Sequence, residues 1–168
     1  MSAVTAAGRE ASVHLNREAL QDFVIHEARL QDEHRYAEWE ALWADDGIYW
    51  VPAQEDDIDP KTHVSYIYDN RTRLAGRIRQ LKSGRRHAQI PASRMRRLIS
   101  NFEFDVKGPL LQVEANFMLM EVRQRHRHVW CGRTQYLLRP HADGYQIVLK
   151  KVMLVDGDVP IPTLAFLI

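Results

Sequence analysis

Hydrophobic residues in the first half of the chain recur at the three- and four-residue spacing of amphipathic helices. The first such stretch follows Asn16, whose side chain can cap a helix. A second is predicted to end at Asp45-Asp46-Gly47, because glycine accepts the backbone conformation of a helix end. A third is predicted over about 70–81, with Asp69 as its cap. The residues that share one face in the three predicted helices are Leu20, Phe23, Val24, Glu27 and Leu30, then Tyr36, Trp39, Leu42 and Trp43, then Leu74, Ile78 and Leu81.

From Arg94 onward the pattern changes to the alternation of half-buried strands. Turn sequences at 107–109 and 140–144 join consecutive strands at short range, which predicts an antiparallel meander. A shorter strand is predicted at 48–51, where Pro52 stops it. The residues that share one face of the first two long strands are Leu98, Phe102, Phe104 and Val106, then Leu111, Val113, Ala115, Phe117 and Leu119.

Helices first and long strands afterwards is the order of an α+β fold. The sequence therefore predicts one helical layer on one face of a strongly curved, mainly antiparallel sheet. The length of 168 residues suits one domain, predicted over 16–168, and the small, polar residues 1–15 predict a flexible N-terminal arm. An extended tail is predicted from about 157, with prolines at 160 and 162. Its apolar end, 163–168, is expected to dock, since an apolar patch is costly when exposed.

The near-neutral net charge of +1 conceals two unequal halves. Residues 1–60 hold 4 basic and 14 acidic residues, whereas residues 61–168 hold 19 basic and 8 acidic ones. Of the 23 basic residues 18 are arginine, which suits fixed and partly buried ion pairs better than lysine does. We expect the two halves to neutralise each other within the fold. The alternative is that some arginines serve a partner chain.

The densest cationic stretch runs from Arg71 to Arg97, with ten basic residues and no acidic one. It contains no Phe, Trp or Tyr for base stacking, and hydrophobic residues interrupt it as in a half-buried interface. The pattern therefore disfavours nucleic acid as a partner.

Cys131 is the single cysteine, so the sequence contains no disulfide, no Cys-ligated zinc site and no iron–sulfur cluster. The cysteine content favours a cytoplasmic location, and no apolar run is long enough to span a membrane. The eight histidines show no metal-ligand spacing, and we predict no metal site.

Glu27 interrupts the apolar face of the first predicted helix. A carboxylate in a pocket can act as a general acid or base, because burial raises its pKa. The favoured interpretation is a buried ion pair with one of the arginines.

Several short motifs, in order and spacing, resemble the β (small) subunit of bacterial aromatic-ring-hydroxylating dioxygenases over roughly residues 19–156. They are Glu27-Ala28-Arg29-Leu30-Gln31-Asp32, Tyr49-Trp50-Val51-Pro52, Ser65-Tyr66-Ile67-Tyr68-Asp69-Asn70-Arg71, His87-Ala88-Gln89-Ile90-Pro91-Ala92-Ser93-Arg94 and Arg97-Leu98-Ile99-Ser100-Asn101. The resemblance implies an α+β cone of the nuclear-transport-factor-2 (NTF2) type, in agreement with the element order.

The resemblance also implies a structural subunit without catalytic or cofactor-binding residues of its own, inactive in isolation. The partner α subunit would carry a Rieske [2Fe-2S] cluster and a mononuclear Fe(II), and NAD(P)H would supply electrons through a separate reductase. The family commonly assembles as α3β3 hexamers that cis-dihydroxylate aromatic compounds. The residues expected at subunit interfaces are Tyr68, Asp69, Arg71, His87, Arg94, Arg96 and Arg97, although pairing of each within the chain stays open.

Two other functions remain possible at the level of the sequence. A stand-alone cone-fold dehydratase or isomerase would use Glu27 as its acid or base, with Tyr49 or a histidine nearby. A nucleic-acid-binding module would use the arginines between 71 and 97.

Overall fold

The computed structural model describes residues 14–53, 59–83 and 91–168. Helices in this part of the chain are α1 (Arg17–Asp32), α2 (Tyr36–Ala41) and α3 (Arg71–Lys82). Asn16 caps α1 as predicted, since its side chain accepts a hydrogen bond from the Ala19 amide at 3.1 Å. The cap of α3 is Asn70 rather than Asp69. Most of the predicted N-terminal arm, residues 1–13, lies outside the described residues.

The described strands form one six-stranded sheet with the order β2-β1-β6-β5-β4-β3. Neighbouring strands are antiparallel except β1 and β6, which are parallel. Strands β3 to β6 follow one another through short turns, so the predicted meander is confirmed. The strands are β1 (Trp43–Pro52), β2 (Ser65–Asn70), β3 (Arg94–Lys107), β4 (Leu110–Arg123), β5 (His126–His141) and β6 (Gly144–Leu154).

The second predicted helix is shorter than expected. It ends at Ala41, and Trp43 already lies in β1, where it pairs with Ile147 of β6. The Ile147 amide donates a hydrogen bond to the Leu42 oxygen at 2.8 Å, so long-range pairing overrides the local helical spacing. Gly47 lies where the pairing of β1 is irregular, and a Cβ there would approach the Ala44 oxygen to 2.9 Å. The glycine thus permits an irregular strand rather than ending a helix.

Strand β3 reverses the direction of its side chains near Asn101. This residue has a φ of +55°, and the register with β4 shifts between Ser100 and Glu103. Phe102 and Phe104 consequently pack against the core, whereas Leu98 is 74% exposed on the other face. The prediction that Leu98 shares their face is therefore wrong, because the irregularity inserts a residue between them.

The core fills the space between the helices and the concave face of the sheet. Helix α1 packs against β3, and α3 packs against β1. The predicted inward-facing residues of β4, from Leu111 to Leu119, are all buried. Trp39, Trp43 and Tyr49 pack edge-on against one another where α2 meets β1. The arrangement is the predicted α+β cone.

Candidate functional site

Glu27 lies in the interior of the cone and has no exposed surface. Its carboxylate accepts hydrogen bonds from Trp39 Nε1, from the Tyr136 hydroxyl at 3.1 Å and from Lys150 Nζ at 2.9 Å. The buried ion pair favoured by the sequence is present, but its cation is Lys150 of β6 rather than an arginine. Gln31 lies one turn further along the same face of α1 and accepts a second hydrogen bond from Lys150 at 2.9 Å.

Burial controls the protonation of these interior groups. It lowers the pKa of Lys150 to about 8, although the neighbouring Glu27 favours the charged form. It raises the pKa of Tyr49 and of Tyr136 well above the usual value, so both hydroxyls stay protonated and able to donate. Each of these groups has a hydrogen-bond partner, which makes the set a structural network.

The segment 164–168 enters the same interior, which confirms the predicted docking of the apolar tail. Its last four residues, from Ala165 to Ile168, are buried. Tyr49 donates a hydrogen bond to the Ile168 oxygen at 2.8 Å, and Phe166 packs edge-on against Trp130 with ring centroids 5.6 Å apart. Next to Ile168 remains a cavity of about 10 Å³, enough for about one water molecule. No room is left there for a substrate beside Lys150, so the structure does not favour the stand-alone enzyme.

Arg97 points into this closed interior and pairs within the chain. Its Nε donates to one oxygen of Asp32 at 2.8 Å, and its backbone amide donates to the other at 3.0 Å. Its two terminal nitrogens donate to Gln31 Oε1 at 2.7 Å and to the Leu167 oxygen at 3.3 Å. The residue therefore ties α1, β3 and the tail together.

Three other predicted interface residues lie at the β2 edge of the sheet. Asp69 binds Arg77 Nε at 2.6 Å, and Arg71 lies 3.6 Å from Glu40, so both have partners within the chain. Tyr68 lies on the outer face of β2 and is partly exposed, with its ring edge-on to Trp50.

Arg94 and Arg96 are exposed on β3, at the other edge of the sheet. Arg96 donates a hydrogen bond to the Met95 oxygen at 2.8 Å. His87 lies outside the described residues. Of the predicted interface residues, Tyr68, Asp69 and Arg71 thus lie near the β2 edge and Arg94 and Arg96 lie on β3, and their role at an interface stays a prediction.

An exposed apolar strip on the outer face of the sheet escaped the sequence analysis. This outer strip consists of Leu98, Met118, Met120, Val129 and Val155. Leu98 pairs with Met118 across β3 and β4, and Met120 pairs with Val129 across β4 and β5. A groove of about 740 Å³ lies beside the first pair and Val155. The sequence feature that could have revealed this strip is Phe-Met-Leu-Met at 117–120, where consecutive apolar residues make both faces of β4 apolar.

Among the described residues, no group of three His, Cys, Asp or Glu side chains could hold a metal ion. None of the described helices combines the length and the apolar character needed to cross a membrane.

The element order, and the core that fills the space between the helices and the concave face of the sheet, define the fold class of the protein as an NTF2-like α+β cone. A solved NTF2-like protein from Novosphingobium aromaticivorans has a TM-score of 0.59 at 17% identity and aligns with 84% of this chain and 82% of its own. At that identity the likeness shows the fold alone.

More specific similarity comes from the dioxygenases. The family model of the ring hydroxylating beta subunit matches residues 26–160. The 2-halobenzoate 1,2-dioxygenase small subunit of Burkholderia cepacia is 32% identical over 139 residues, which are 79% of this chain and 84% of that protein. The crystal structure of the benzoate 1,2-dioxygenase beta subunit from Burkholderia mallei has a TM-score of 0.74 at 25% identity and covers 92% of this chain and 99% of that one. The chain therefore belongs to the family of β subunits of aromatic-ring-hydroxylating dioxygenases, which confirms the resemblance seen in its motifs.

Proposed function

We propose that this chain is the structural β subunit of a terminal oxygenase and that it has no activity in isolation. The observation that carries the proposal is the filled interior of the cone. Segment 164–168 occupies the space beside Tyr49 and Lys150, and a cavity of about 10 Å³ is left. The carboxylate of Glu27 is engaged by three donors and faces no substrate-sized space.

The redox centres of the assembled enzyme would belong to the α subunit. A Rieske [2Fe-2S] centre needs two cysteines and two histidines, which a chain whose one cysteine is Cys131 cannot provide. A mononuclear Fe(II) in the same α subunit would support dihydroxylation, with electrons from NAD(P)H through a separate reductase. The product would be a cis-dihydrodiol that carries both atoms of O2. A cytoplasmic location suits such an enzyme.

We place the α subunit on the outer strip and propose an α3β3 hexamer. The strip offers adjacent apolar side chains that a folded chain normally covers. The exposed residues Tyr68, Arg94 and Arg96 would contact neighbouring subunits at the two sheet edges. His87, outside the described residues, stays a candidate from the sequence alone. Asp69, Arg71 and Arg97 would brace these edges from within through their ion pairs.

Co-expression with the α subunit of a ring-hydroxylating dioxygenase tests the proposal. We expect the two chains to co-purify in equal amounts, with the visible absorption of a Rieske centre and turnover of an aromatic compound. The chain expressed alone should bind no iron and convert no aromatic compound. Stoichiometric iron in the lone chain, or failure of the folded chain to bind any α subunit, would contradict the proposal.

A further inference from the structure

The segment 164–168 is mostly buried, and a largely exposed stretch of chain joins it to β6. Residues 158–160 and 162–163 are exposed, whereas the four residues from Ala165 to Ile168 are buried. The segment belongs to no helix or strand. The connection that leads to it is mostly exposed, although Ile161 packs against the core and Tyr66 donates hydrogen bonds to the Gly157 and Val159 oxygens.

Side chains from three separate elements bind the backbone of this segment. Tyr49 of β1 donates to the Ile168 oxygen at 2.8 Å, and the same hydroxyl accepts from the Ile168 amide at 3.0 Å. Gln31 of α1 donates to the Ile168 oxygen at 3.3 Å, and Arg97 of β3 donates to the Leu167 oxygen at 3.3 Å. Such contacts recognise backbone atoms rather than a particular sequence of side chains.

Apolar walls supply the complement to these polar contacts. The Phe166 ring lies edge-on to Trp130, and Phe117 and Ile99 line the cavity beside Ile168. Gln31 and Arg97 also bind partners of their own, Lys150 and Asp32, which hold them in place whether or not the segment is bound. An apolar cavity with a few fixed, convergent polar groups has the composition of a ligand site.

We propose that the interior of the cone is a binding site for an apolar peptide, which the chain occupies with its own segment 164–168 as an exchangeable ligand. The site accepts a peptide with apolar side chains at the positions of Phe166, Leu167 and Ile168. Tyr49, Gln31 and Arg97 bind its backbone. This inference goes beyond the structural role in the oxygenase and does not depend on it.

A cleavable form of the full chain tests the proposal. A specific protease site inserted between Val159 and Pro160 lets the protein fold with the segment in place before the connection is cut. After cleavage the peptide 160–168 should stay bound, and a dye-labelled copy of it should exchange into the site at one per chain. The melting temperature of the cut protein should rise with the concentration of added peptide.

Three variants separate this site from non-specific binding. Tyr49→Phe should weaken the labelled peptide about tenfold, since it removes the hydroxyl that bonds twice to Ile168. Tyr68→Phe, which changes a hydroxyl on the outer face, should leave the affinity unchanged. A peptide carrying Phe166→Asp should not bind, because a carboxylate cannot pack against Trp130.

The proposal is overturned if the cut protein, freed of its peptide in mild denaturant and returned to buffer, neither binds the labelled peptide nor gains thermal stability from it. Equal weakening by Tyr49→Phe and Tyr68→Phe would overturn it as well. Uptake with the expected loss for Tyr49→Phe supports it.

Discussion

Lys150 is a cation buried in the interior of the cone. Its ammonium group is held by Glu27 and Gln31, and its side chain is 1% exposed. Burial of such a pair removes both charges from water, and only good geometry and further hydrogen bonds offset that cost. Glu27 receives those further bonds from Trp39 and Tyr136. The contacts of Glu27 are therefore those of a buried structural ion pair and not those of a general acid or base.

The buried lysine makes stability depend on pH in an unusual direction. The folded chain releases the Lys150 proton near pH 8, whereas the unfolded chain holds it up to about 10.5, so the unfolded state binds more protons between these values. The free energy of unfolding should therefore rise, by about 2 kcal/mol from about pH 7.5 to about pH 9.5. Above about pH 10 the tyrosines of the unfolded chain ionise while Tyr49 and Tyr136 stay protonated, and stability should fall.

Urea unfolding across this pH range measures the effect. The double variant Glu27→Gln with Lys150→Met keeps an acceptor for Trp39 but removes both charges, and its curve should lack the rise. An identical rise in that variant would show that another group titrates.

Among the elements, β3 depends on one backbone position. Asn101 adopts a left-handed conformation, and asparagine tolerates this better than most residues. The irregularity there lets Phe102 and Phe104 face the core while Leu98 faces outward. The element thereby contributes to the core and to the outer strip at once.

Substitution at Asn101 should reveal that strain. Asn101→Val should lower the free energy of unfolding by about 1–2 kcal/mol, because a β-branched residue resists positive φ. Asn101→Gly, which accepts this conformation freely, should stay within about 0.5 kcal/mol of the natural chain. Denaturant unfolding measures the free energy of unfolding of the two variants. An equal decrease in both would argue against a conformational cause.

For the whole molecule, the two faces of the sheet have different surroundings. The concave face closes over Glu27, Lys150 and the tail, and the outer face leaves an apolar strip uncovered. The two halves of the chain meet where β1 pairs with β6, and several ion pairs, such as Arg139 with Asp46, cross between them. The expected internal neutralisation of charge is therefore present in part, through four such ion pairs among the described residues.

A charge placed on the outer strip should block assembly without unfolding the subunit. Met118 is about half exposed, so Met118→Glu should change the stability of the lone chain by less than about 0.5 kcal/mol. Binding of the α subunit should weaken at least about thirtyfold, since the carboxylate would be buried without a partner. Val64→Glu, on a more exposed residue outside the sheet, is the matched control and should bind normally. Co-purification yields and titration measure both, and normal binding by Met118→Glu would place the α subunit elsewhere.

The sequence alone predicted the features that depend on local pattern. Periodicity gave α1 with its Asn16 cap and the alternation of β4, because neighbouring residues decide which side of an element meets water. The motifs together indicated the family. The single cysteine, Cys131, showed that this chain cannot hold a Rieske centre.

Only the tertiary structure decided the rest. The end of α2, strand β2 and the exposure of Leu98 follow from pairing with distant strands, which local spacing does not record. The choice of Lys150 over eighteen arginines as the partner of Glu27 follows from the position of β6 across the cone. The sequence predicted that the tail docks but not where. Its position is set by hydrogen bonds from Tyr49, Gln31 and Arg97 to its backbone, and these residues come from three elements far apart in the chain. Packing and buried hydrogen bonds act across space, so they emerge only once the chain has folded.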